Sequence, residues 1–336
     1  MLNAVIIGNG LIAPVHARAI SEIENGNIYG ICDIDKTRAD EGALKYGAKA
    51  FYSFDDVVED EKVDVVHICT PHYLHVDMTI KALEKGKNVV LEKPSAINEE
   101  EFCRLLGAYE KSDKKICAVF QNRTNTSIQM LKDIVKNDAE LGKLNGISGT
   151  VRWSRDAQYY NHDNWRGKYA TEGGGVLINQ SIHLLDLITY FGGKVESVCA
   201  SQSNKSLQNV IEVEDTVDAL IQFESGLRAS FYATNSYPVN QPFQLELNFE
   251  NATFRYADNN LYKIKKGECE FLCRNNESVP GKSYWGGGHK HVIYDFYTAL
   301  ESGGEKYIDL TDAVNTTHTM FAIYESAKNK GEIVKL

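Results

Sequence analysis

The sequence lacks a long apolar run. The longest ones, such as Ala4–Ile7 and Val63–Cys69, are far shorter than the roughly 20 residues that a membrane-spanning helix needs. The chain begins Met-Leu-Asn-Ala, with no basic segment and no cleavage site, and runs directly into an apolar strand. We therefore expect no membrane segment and a cytoplasmic location.

The sequence also lacks an excess of positive charge. Lys and Arg number 36 and Asp and Glu number 46, which gives a formal net charge of −10 at pH 7. Proteins that bind nucleic acid generally neutralise its phosphates with basic side chains, so this chain is a poor candidate for that class. We expect its partner to be a small molecule held in a local, concave site, with no nucleic acid bound.

Cysteine forms no recognisable pattern. The chain has 7 cysteines, an odd number, and only Cys269 and Cys273 lie close together, in a polar, hairpin-like region. Several of the others lie inside apolar runs, where cysteine behaves as a small hydrophobic residue. The sequence therefore predicts neither a disulfide framework nor a metal site.

Length and pattern predict two domains. The 336 residues are about twice a usual domain length, and an apolar content of 43% suffices for a core. The first third alternates short apolar strands with helices, which is typical of a parallel sheet covered on both faces. Later segments such as Thr216–Phe223 alternate with period two. We predict a doubly wound α/β domain at 1–123 and an α+β domain with a large, mainly antiparallel open sheet at 124–336.

A glycine-rich turn follows the first predicted strand. Gly8-Asn9-Gly10-Leu11-Ile12-Ala13 fits the pattern G-x-G-x-x-A and opens a predicted helix. In Rossmann domains the first glycine permits the tight turn, the second admits a pyrophosphate, and the helix N-terminus faces the phosphates. The motif alone is weak, because glycine turns between strand and helix are common. A doubly wound domain that binds no dinucleotide is the alternative.

A carboxylate follows at the position where a ribose would bind. Asp33 comes 20 residues after Ala13, at the end of the second predicted strand, where it could accept hydrogen bonds from the adenosine ribose. A carboxylate there repels a 2′-phosphate, and Asp35 adds a second negative charge, although Lys36 and Arg38 are close. The sequence therefore predicts NAD as the cofactor and makes NADP less favoured.

Two further segments carry reactive side chains. Glu92-Lys93-Pro94 follows the fourth predicted strand, at the edge where open α/β sheets bind ligands, although a solvated lysine is the ordinary alternative. A predicted helix at 176–191 places Asn179, His183 and Asp186 on one face through the spacing i, i+4 and i+7. A polar stripe on an apolar helix needs a wet cavity or partners. On spacing alone, a buried hydrogen-bonded network explains this stripe better than catalysis does.

Taken together, these motifs resemble the glucose–fructose oxidoreductase/inositol dehydrogenase family, Gfo/Idh/MocA, over essentially the whole chain. The resemblance rests on GNGLIA (8–13), CDID (32–35), TPHYLH (70–75), EKP (92–94), Gln121-Asn122-Arg123, Trp165-Arg166-Gly167, GGGVLINQSIHLLD (173–186) and GGGH (286–289). The ordered set is far more specific than any one member. It implies an NAD(P)-dependent oxidoreductase that transfers a hydride between nicotinamide and a hydroxyl or ketone of a sugar, polyol or sugar derivative.

The resemblance also implies roles for particular residues. Lys93 would lie beside the nicotinamide and the substrate, with Pro94 commonly cis, and His183 would contact the substrate oxygen that gains or loses a proton. The expected substrate-binding residues are Arg123, Tyr160, Asn179 and, as a supporting charge, Asp186. The expected cofactor contacts are Gly8, Gly10, Leu11, Ile12, Asp33, Thr70, Pro71, His75, Glu92, Lys93, Gln121, Asn122, Trp165 and Arg166.

One position departs from the family's pattern. Sugar-alcohol dehydrogenases of the family often carry Asp four residues before the histidine, and here that residue is Asn179. An amide cannot take up a proton, so proton transfer is left to Lys93 or His183. We expect a confined site to lower the pKa of Lys93, so that its neutral amine accepts the hydroxyl proton during oxidation.

The substrate remains open at this stage, as do two other functions. Tyr159, Tyr160, Trp165 and Arg166 suggest a polyhydroxylated ligand, but a free sugar, an inositol, a sugar acid and a sugar nucleotide are not separated. The other functions are a non-catalytic dinucleotide-binding regulator, against which Lys93 and His183 argue, and a glycosidase that uses tightly bound NAD by transient oxidation. From the resemblance we also expect a homodimer or homotetramer formed through the C-terminal sheet.

Overall fold

The structure, a computed structural model, describes residues 1–275 and 287–336. Gly286 of the predicted GGGH segment lies outside these residues. The chain divides into two compact units, the first formed by Met1–Phe120 and His289–Ala313 and the second by Gln121–Gly288 and Val314–Leu336. The linear prediction kept 289–313 in the second domain. In the structure this segment belongs to the first unit, because Val292, Ile293 and Phe296 pack into that unit's hydrophobic core.

A six-stranded parallel sheet forms the first unit. Its strands pair in the order β3-β2-β1-β4-β5-β6, the arrangement of a doubly wound sheet, and this confirms the predicted fold of the unit. The elements are β1 (Leu2–Ile7), α1 (Ala13–Ser21), β2 (Gly26–Cys32), α2 (Lys36–Tyr46), β3 (Lys49–Phe51), α3 (Phe54–Glu59), β4 (Val65–Ile68), α4 (His75–Glu84), β5 (Asn88–Leu91), α5 (Glu99–Tyr109) and β6 (Ile116–Ala118).

The local sequence explains where these elements lie. In β1 the run Ala4–Ile7 is buried without a break, as expected for a strand covered on both faces. Helix α2 begins after Asp35, whose carboxylate accepts hydrogen bonds from two backbone N–H groups of the first turn. It ends at Tyr46 and is followed by Gly47, which has a φ of 65°. These caps set where α2 begins and ends, between β2 and β3.

The second unit is built on a nine-stranded, mainly antiparallel sheet. Its order is β14-β13-β12-β11-β7-β10-β9-β8-β15, and β7 and β10 pair in parallel. The elements are α6 (Thr126–Asn137), β7 (Leu144–Arg152), α7 (Ala157–Asn161), α8 (Ile182–Gly192), β8 (Val195–Ser203), β9 (Thr216–Phe223), β10 (Arg228–Thr234), β11 (Gln244–Phe249), β12 (Thr253–Ala257), β13 (Asn260–Lys265), β14 (Glu268–Arg274), α9 (Gly288–Ser302), α10 (Val314–Lys328) and β15 (Val334–Lys335); nearly all of α9 belongs to the first unit.

One face of this sheet is buried and the other is exposed. In β9 the residues Val217, Ala219, Ile221 and Phe223 are buried, whereas Leu220 on the opposite face is 65% exposed. The predicted single-faced burial of this strand is therefore confirmed. Helices α8 and α10 cover the buried face. Over the described residues, no helix is both long and apolar enough to cross a membrane.

The helix predicted at 176–191 is not regular. Its first part, Val176–Ser181, is a π-helix, and only the continuation from Ile182 is α-helical. A π-helix takes more residues per turn than an α-helix and often marks a functional site. The predicted spacing of i, i+4 and i+7 on one α-helical face therefore does not describe the positions of Asn179, His183 and Asp186.

Candidate functional site

The glycine turn of the first unit is shaped for close approach of a ligand. Gly8 has a φ of 89°, and a Cβ there would lie 2.9 Å from the carbonyl oxygen of Cys69, so only glycine fits. A Cβ at Gly10 would meet no atom of the described residues within 4 Å, which leaves the backbone there open. No side chain of residues 1–275 or 287–336 caps the start of α1, and its first turn carries no acidic residue. Its N–H groups therefore suit an anion such as a diphosphate.

Asp33 is held beside this turn. Its Oδ2 accepts a hydrogen bond from the backbone N–H of Asn9 at 2.9 Å, and its Oδ1 accepts one from the N–H of Asp35 at 2.9 Å. Arg38 lies near, with Nε 3.8 Å from Asp33 Oδ1. The carboxylate is thus fixed at the end of β2, next to the anion-binding turn. An open backbone turn, an uncapped helix and a fixed carboxylate fit a dinucleotide with an unmodified ribose.

The turns after β4 and β5 are joined by a histidine. His75 is buried, with Nδ1 2.8 Å from the carbonyl oxygen of Pro94 and Nε2 3.0 Å from that of Thr70. Its contacts in the structure therefore hold the two turns together, and direct cofactor binding by His75 stays a prediction. The Lys93–Pro94 peptide bond is cis, as the resemblance implied. Lys93 is half-buried, and its backbone N–H donates to Glu92 Oε2 at 3.2 Å.

A buried chain of titratable side chains lies behind this turn. Glu92 Oε1 is 2.9 Å from His16 Nε2 and 3.5 Å from His289 Nε2. His16 Nδ1 is 2.9 Å from His67 Nδ1, and His67 Nε2 is 2.9 Å from the hydroxyl of Tyr297. Burial opposes ionisation of Glu92, but the hydrogen bonds and charges of His16 and His289 outweigh it and hold the pKa of that carboxyl well below its usual range. Glu92 is therefore a carboxylate at neutral pH.

In the second unit, each polar residue of the predicted stripe has its own partner. Asn179 donates from Nδ2 to Glu172 Oε1 at 2.5 Å, and His183 Nε2 lies 3.2 Å from Gln121 Nε2. Gln121 belongs to a short turn, Gln121–Thr124, that also carries Asn122, and both residues are buried. The structure thus brings His183 together with Gln121, and it adds Glu172, which the sequence interpretation did not single out.

Arg123 and Asp186 form a buried, two-pronged ion pair. Arg123 donates from Nε to Asp186 Oδ2 at 2.9 Å and from Nη2 to Oδ1 at 2.6 Å, and the hydroxyl of Thr316 donates to Oδ1 at 2.9 Å. The guanidinium carbon also lies 4.9 Å from the centre of the Tyr190 ring. Paired, charge-assisted hydrogen bonds of this kind are strong and fix both side chains. The geometry supports a role for Asp186 in holding Arg123, and substrate binding by either residue stays a prediction.

The aromatic residues are linked by a network of amides. Buried Tyr160 accepts a hydrogen bond from Asn235 Nδ2 at 2.9 Å, and the same amide lies 3.0 Å from Gln180 Oε1. Gln180 in turn donates to the hydroxyl of Tyr159 at 3.1 Å. Neither Gln180 nor Asn235 was predicted, because Asn235 is distant in sequence and glutamine on a helix has no distinctive pattern. Their contact fixes the orientation of both tyrosines.

Arg166 connects this network to the loop after α7. It donates to the hydroxyl of Tyr159 at 2.8 Å and to Asp163 at 2.8 Å, and its guanidinium carbon lies 4.5 Å from the centre of the Trp165 ring. A cavity of about 350 Å³ opens beside Tyr160 and Arg166, within the unit. This volume is at the lower end of the range of small-molecule sites, about 300–1,000 Å³. Cofactor contacts by Trp165 and Arg166 stay predictions.

Both units match known protein families. Residues 2–121 match the family described as an oxidoreductase family with an NAD-binding Rossmann fold, and residues 128–255 match the GFO/IDH/MocA C-terminal domain. The two matches follow one another along the chain in the order that the sequence motifs predicted.

Individual relatives extend these matches. The chain is 30% identical over 246 residues to the D-glucoside 3-dehydrogenase of Escherichia coli K12, covering 67% of this chain and 68% of the relative. It is 23% identical over 343 residues to the glucose-6-phosphate 3-dehydrogenase of Bacillus subtilis, covering 96% of each. The crystal structure of the WlbA dehydrogenase from Bordetella pertussis with NADH and UDP-GlcNAcA is similar with a TM-score of 0.86 and 26% identity, covering 100% of this chain and 98% of that one.

Proposed function

The chain belongs to the Gfo/Idh/MocA family of NAD-binding oxidoreductases, and on that basis we propose that it is a dehydrogenase that oxidises a CH–OH group of a sugar or sugar derivative. The observation that carries this proposal is the half-buried Lys93 on the turn after β5, in a unit whose open glycine turn and fixed Asp33 suit NAD. Two relatives are named as dehydrogenases of D-glucosides and of glucose 6-phosphate, and these names support a sugar as substrate.

The residues of the first unit account for cofactor binding. The N–H groups at the start of α1 would hold the diphosphate, and Gly10 leaves room for it. Asp33 would accept the ribose hydroxyls and repel a 2′-phosphate, which favours NAD over NADP. When bound, NAD⁺ supplies the hydride acceptor of the reaction.

Lys93 and His183 are proposed to handle the proton. During oxidation, the neutral amine of Lys93 accepts the proton of the reacting hydroxyl, and during reduction the ammonium returns it. His183 contacts the same substrate oxygen, and Gln121, 3.2 Å from its ring, keeps the imidazole in position. Asn179 cannot exchange a proton, so it orients a substrate hydroxyl.

The relatives also suggest which hydroxyl reacts. Two of them are named as 3-dehydrogenases of glucose derivatives, so we propose the C3 hydroxyl of a pyranose ring as the reacting group. The tyrosines Tyr159 and Tyr160 suit such a ring, because aromatic faces pack against sugar C–H groups while polar groups bind the hydroxyls. A cytoplasmic location and a homodimer or homotetramer formed through the nine-stranded sheet stay predictions.

The first test is cofactor binding followed by turnover. Purified protein is examined by absorbance for bound nucleotide and titrated with NADH and NADPH by fluorescence. It is then incubated with NAD⁺ and glucose 6-phosphate, a methyl D-glucoside or UDP-GlcNAcA, while NADH formation is followed. We expect tighter binding of NADH and formation of NADH with at least one of these compounds.

Other outcomes separate the alternatives. Binding of neither nucleotide by protein that carries none would contradict the enzyme proposal. Nucleotide binding without turnover of any compound would favour a regulator. Cleavage of the glucoside without net NADH would identify transient oxidation by a tightly bound cofactor.

A further inference from the structure

Glu172 is a buried carboxyl group that the proposed reaction does not use. It lies directly before the three glycines that lead into the π-helix Val176–Ser181 and is completely buried. Its Oε1 accepts a hydrogen bond from Asn179 Nδ2 at 2.5 Å, and its Oε2 accepts one from the backbone N–H of Gly167 at 2.5 Å. Glu172 therefore joins the Trp165–Gly167 loop to the residue that replaces the family's aspartate.

Asn179 is placed to meet a ligand. The other five residues of the π-helix are buried, and Asn179 is partly exposed. An amide has a donor end and an acceptor end, whereas an ionised carboxylate can only accept hydrogen bonds. Ionised Glu172 therefore takes the NH₂ end of Asn179, and the carbonyl oxygen of the amide faces the opposite way.

The surroundings of Glu172 make both of its protonation states accessible near neutral pH. Burial raises its pKa to about 7, against the hydrogen bonds from Gly167 and Asn179 and the charge of Arg166, and nearby Glu214 raises it further. Tyr160 on α7 and Tyr324 on α10 also face this carboxyl group, and both are neutral because burial raises their pKa values. Arg166 is itself paired with Asp163.

We propose that Glu172 is a positioning residue that acts on the substrate through Asn179. Ionised Glu172 fixes the amide so that its carbonyl oxygen accepts a hydrogen bond from a substrate hydroxyl. When Glu172 takes a proton from solvent, its O–H donates to the amide oxygen, the amide rotates by half a turn, and Asn179 offers its NH₂ group instead. The protonation state of Glu172 thus sets whether Asn179 accepts a hydrogen bond from the substrate or donates one to it. The part of this proposal that concerns the substrate rests on the proposed function.

The amide orientation is tested without substrate or cofactor. The full chain is labelled with ¹⁵N at asparagine side chains, the Asn179 signal is assigned by its loss in Asn179→Asp, and spectra are recorded across the neutral pH range. In the wild type we expect the Asn179 signal to shift with a midpoint of about 7. In Glu172→Gln this transition should be absent.

A second variant provides the matched control. Glu214 is also buried, and it binds the N–H groups of Gly175 and Leu177 instead of Asn179. Because its charge raises the pKa of Glu172, Glu214→Gln should move the midpoint to lower pH without removing it. This shift keeps the test decisive if Glu172→Gln does not fold. A wild-type Asn179 signal that does not change with pH, or that changes identically in Glu172→Gln, overturns the proposal.

Steady-state kinetics test how Glu172 and Asn179 affect substrate binding, with a double variant in which the carboxylate and the amide exchange places. Steady-state rates are measured against pH with whichever of glucose 6-phosphate, methyl D-glucoside or UDP-GlcNAcA is oxidised. We expect Glu172→Gln to raise KM about tenfold with little change in kcat, as loss of one oriented hydrogen bond would. Asn179→Asp alone places two carboxylates in contact and should impair binding at neutral pH. The double variant Glu172→Gln/Asn179→Asp restores one acceptor and one donor, so KM should recover and its change near pH 7 should disappear.

The NMR titration and the kinetics distinguish failure of this inference from failure of the proposed function. If the Asn179 signal titrates as expected but none of the three compounds is oxidised, the proposed function fails and the coupling of Glu172 to Asn179 stands. If a sugar is oxidised but Glu172→Gln leaves KM and its pH dependence unchanged, the positioning role is overturned and the dehydrogenase proposal stands.

Discussion

The two units present polar groups in different ways. In the first unit the groups suited to the diphosphate of a cofactor are backbone N–H groups at an uncapped helix start and a turn that is open at Gly10. In the second unit the candidate side chains already bond to one another: Arg123 to Asp186, and Asn179 to Glu172. The first unit therefore offers the diphosphate a main-chain surface, whereas the second offers side chains whose orientation depends on their neighbours.

This difference has a physical reason. A dinucleotide's diphosphate has the same shape and charge in every enzyme, so a helix N-terminus and two glycines suffice to recognise it. Sugars differ in the positions of their hydroxyl groups, so recognising one needs donors and acceptors in particular directions. Buried side chains keep such directions only when their remaining hydrogen-bonding groups are satisfied. We therefore expect substitutions in the two units to have different effects.

The largest effect is expected at Lys93, which should separate chemistry from cofactor binding. Lys93→Met removes the proposed proton acceptor, and loss of a general base typically lowers the rate by about 10²–10⁴-fold. We expect NADH affinity to stay within a few-fold of the wild type, because the diphosphate and ribose contacts lie elsewhere. Fluorescence titration and turnover are measured on the same preparation, with the exposed Lys85→Met as the control. If Lys93→Met retains turnover, Lys93 is not the proton acceptor of the reaction.

The next effect is expected at the buried ion pair of the second unit. Arg123→Met leaves the fully buried Asp186 without its bidentate partner, and breaking such a pair typically costs about 3–5 kcal/mol of unfolding free energy. The double variant Arg123→Met/Asp186→Leu should recover much of that loss, because no unpaired charge remains. Urea unfolding measures both.

A different result would change the interpretation of this pair. If Arg123→Met keeps its stability and only raises KM for the sugar, then Arg123 serves the substrate and its contact with Asp186 is secondary. The substrate would then replace Asp186 as the partner of Arg123. The two units would differ less in how their polar groups are prepared for a ligand.

The parts of the molecule that could be predicted are those encoded in contiguous sequence. The glycine turn, Asp33 and the Glu92-Lys93-Pro94 turn follow strands whose apolar runs and helix signals are local, and the parallel sheet around them was predicted correctly. The single exposed face of β9 also followed from its period of two. In each case the pattern and the structure it specifies lie within a few tens of residues.

The contacts that could not be predicted join distant positions. Arg123 and Asp186 are 63 residues apart, and His16 and Glu92 are 76 apart, so nothing in either segment identifies the other. The π-helix escaped prediction because its apolar residues are compatible with an ordinary α-helix over so short a length. The return of 289–313 to the first unit likewise depends on packing that no local pattern encodes.

Asp33 tests whether main-chain recognition dominates in the first unit. Asp33→Ala removes the carboxylate, including its contact with the N–H of Asn9, but keeps both glycines of the turn and the uncapped start of α1. We therefore expect about a tenfold weaker NADH affinity, the equivalent of one charge-assisted hydrogen bond. Discrimination against NADPH should fall, because the charge that repels a 2′-phosphate is gone. Asp35→Asn is the comparison variant: asparagine still caps α2, so this change removes only the second negative charge, and its loss of discrimination should be smaller than that of Asp33→Ala. If Asp33→Ala still binds NADH in preference to NADPH as strongly as the wild type does, then another group selects the cofactor.

The smallest effect on stability is expected at Leu220. On the outer face of the sheet in the second unit, Leu220 is 65% exposed and lies opposite Ser230 on β10. If this face joins copies of the chain, Leu220→Glu should lower the particle mass measured by light scattering, while the unfolding free energy of the separated chain changes by no more than about 0.5 kcal/mol. Leu44→Glu on α2, 86% exposed, is the matched control and should leave the mass unchanged. A wild-type monomer, or an oligomer that survives Leu220→Glu, would show that this face is not the contact and that its apolar residues are simply solvated.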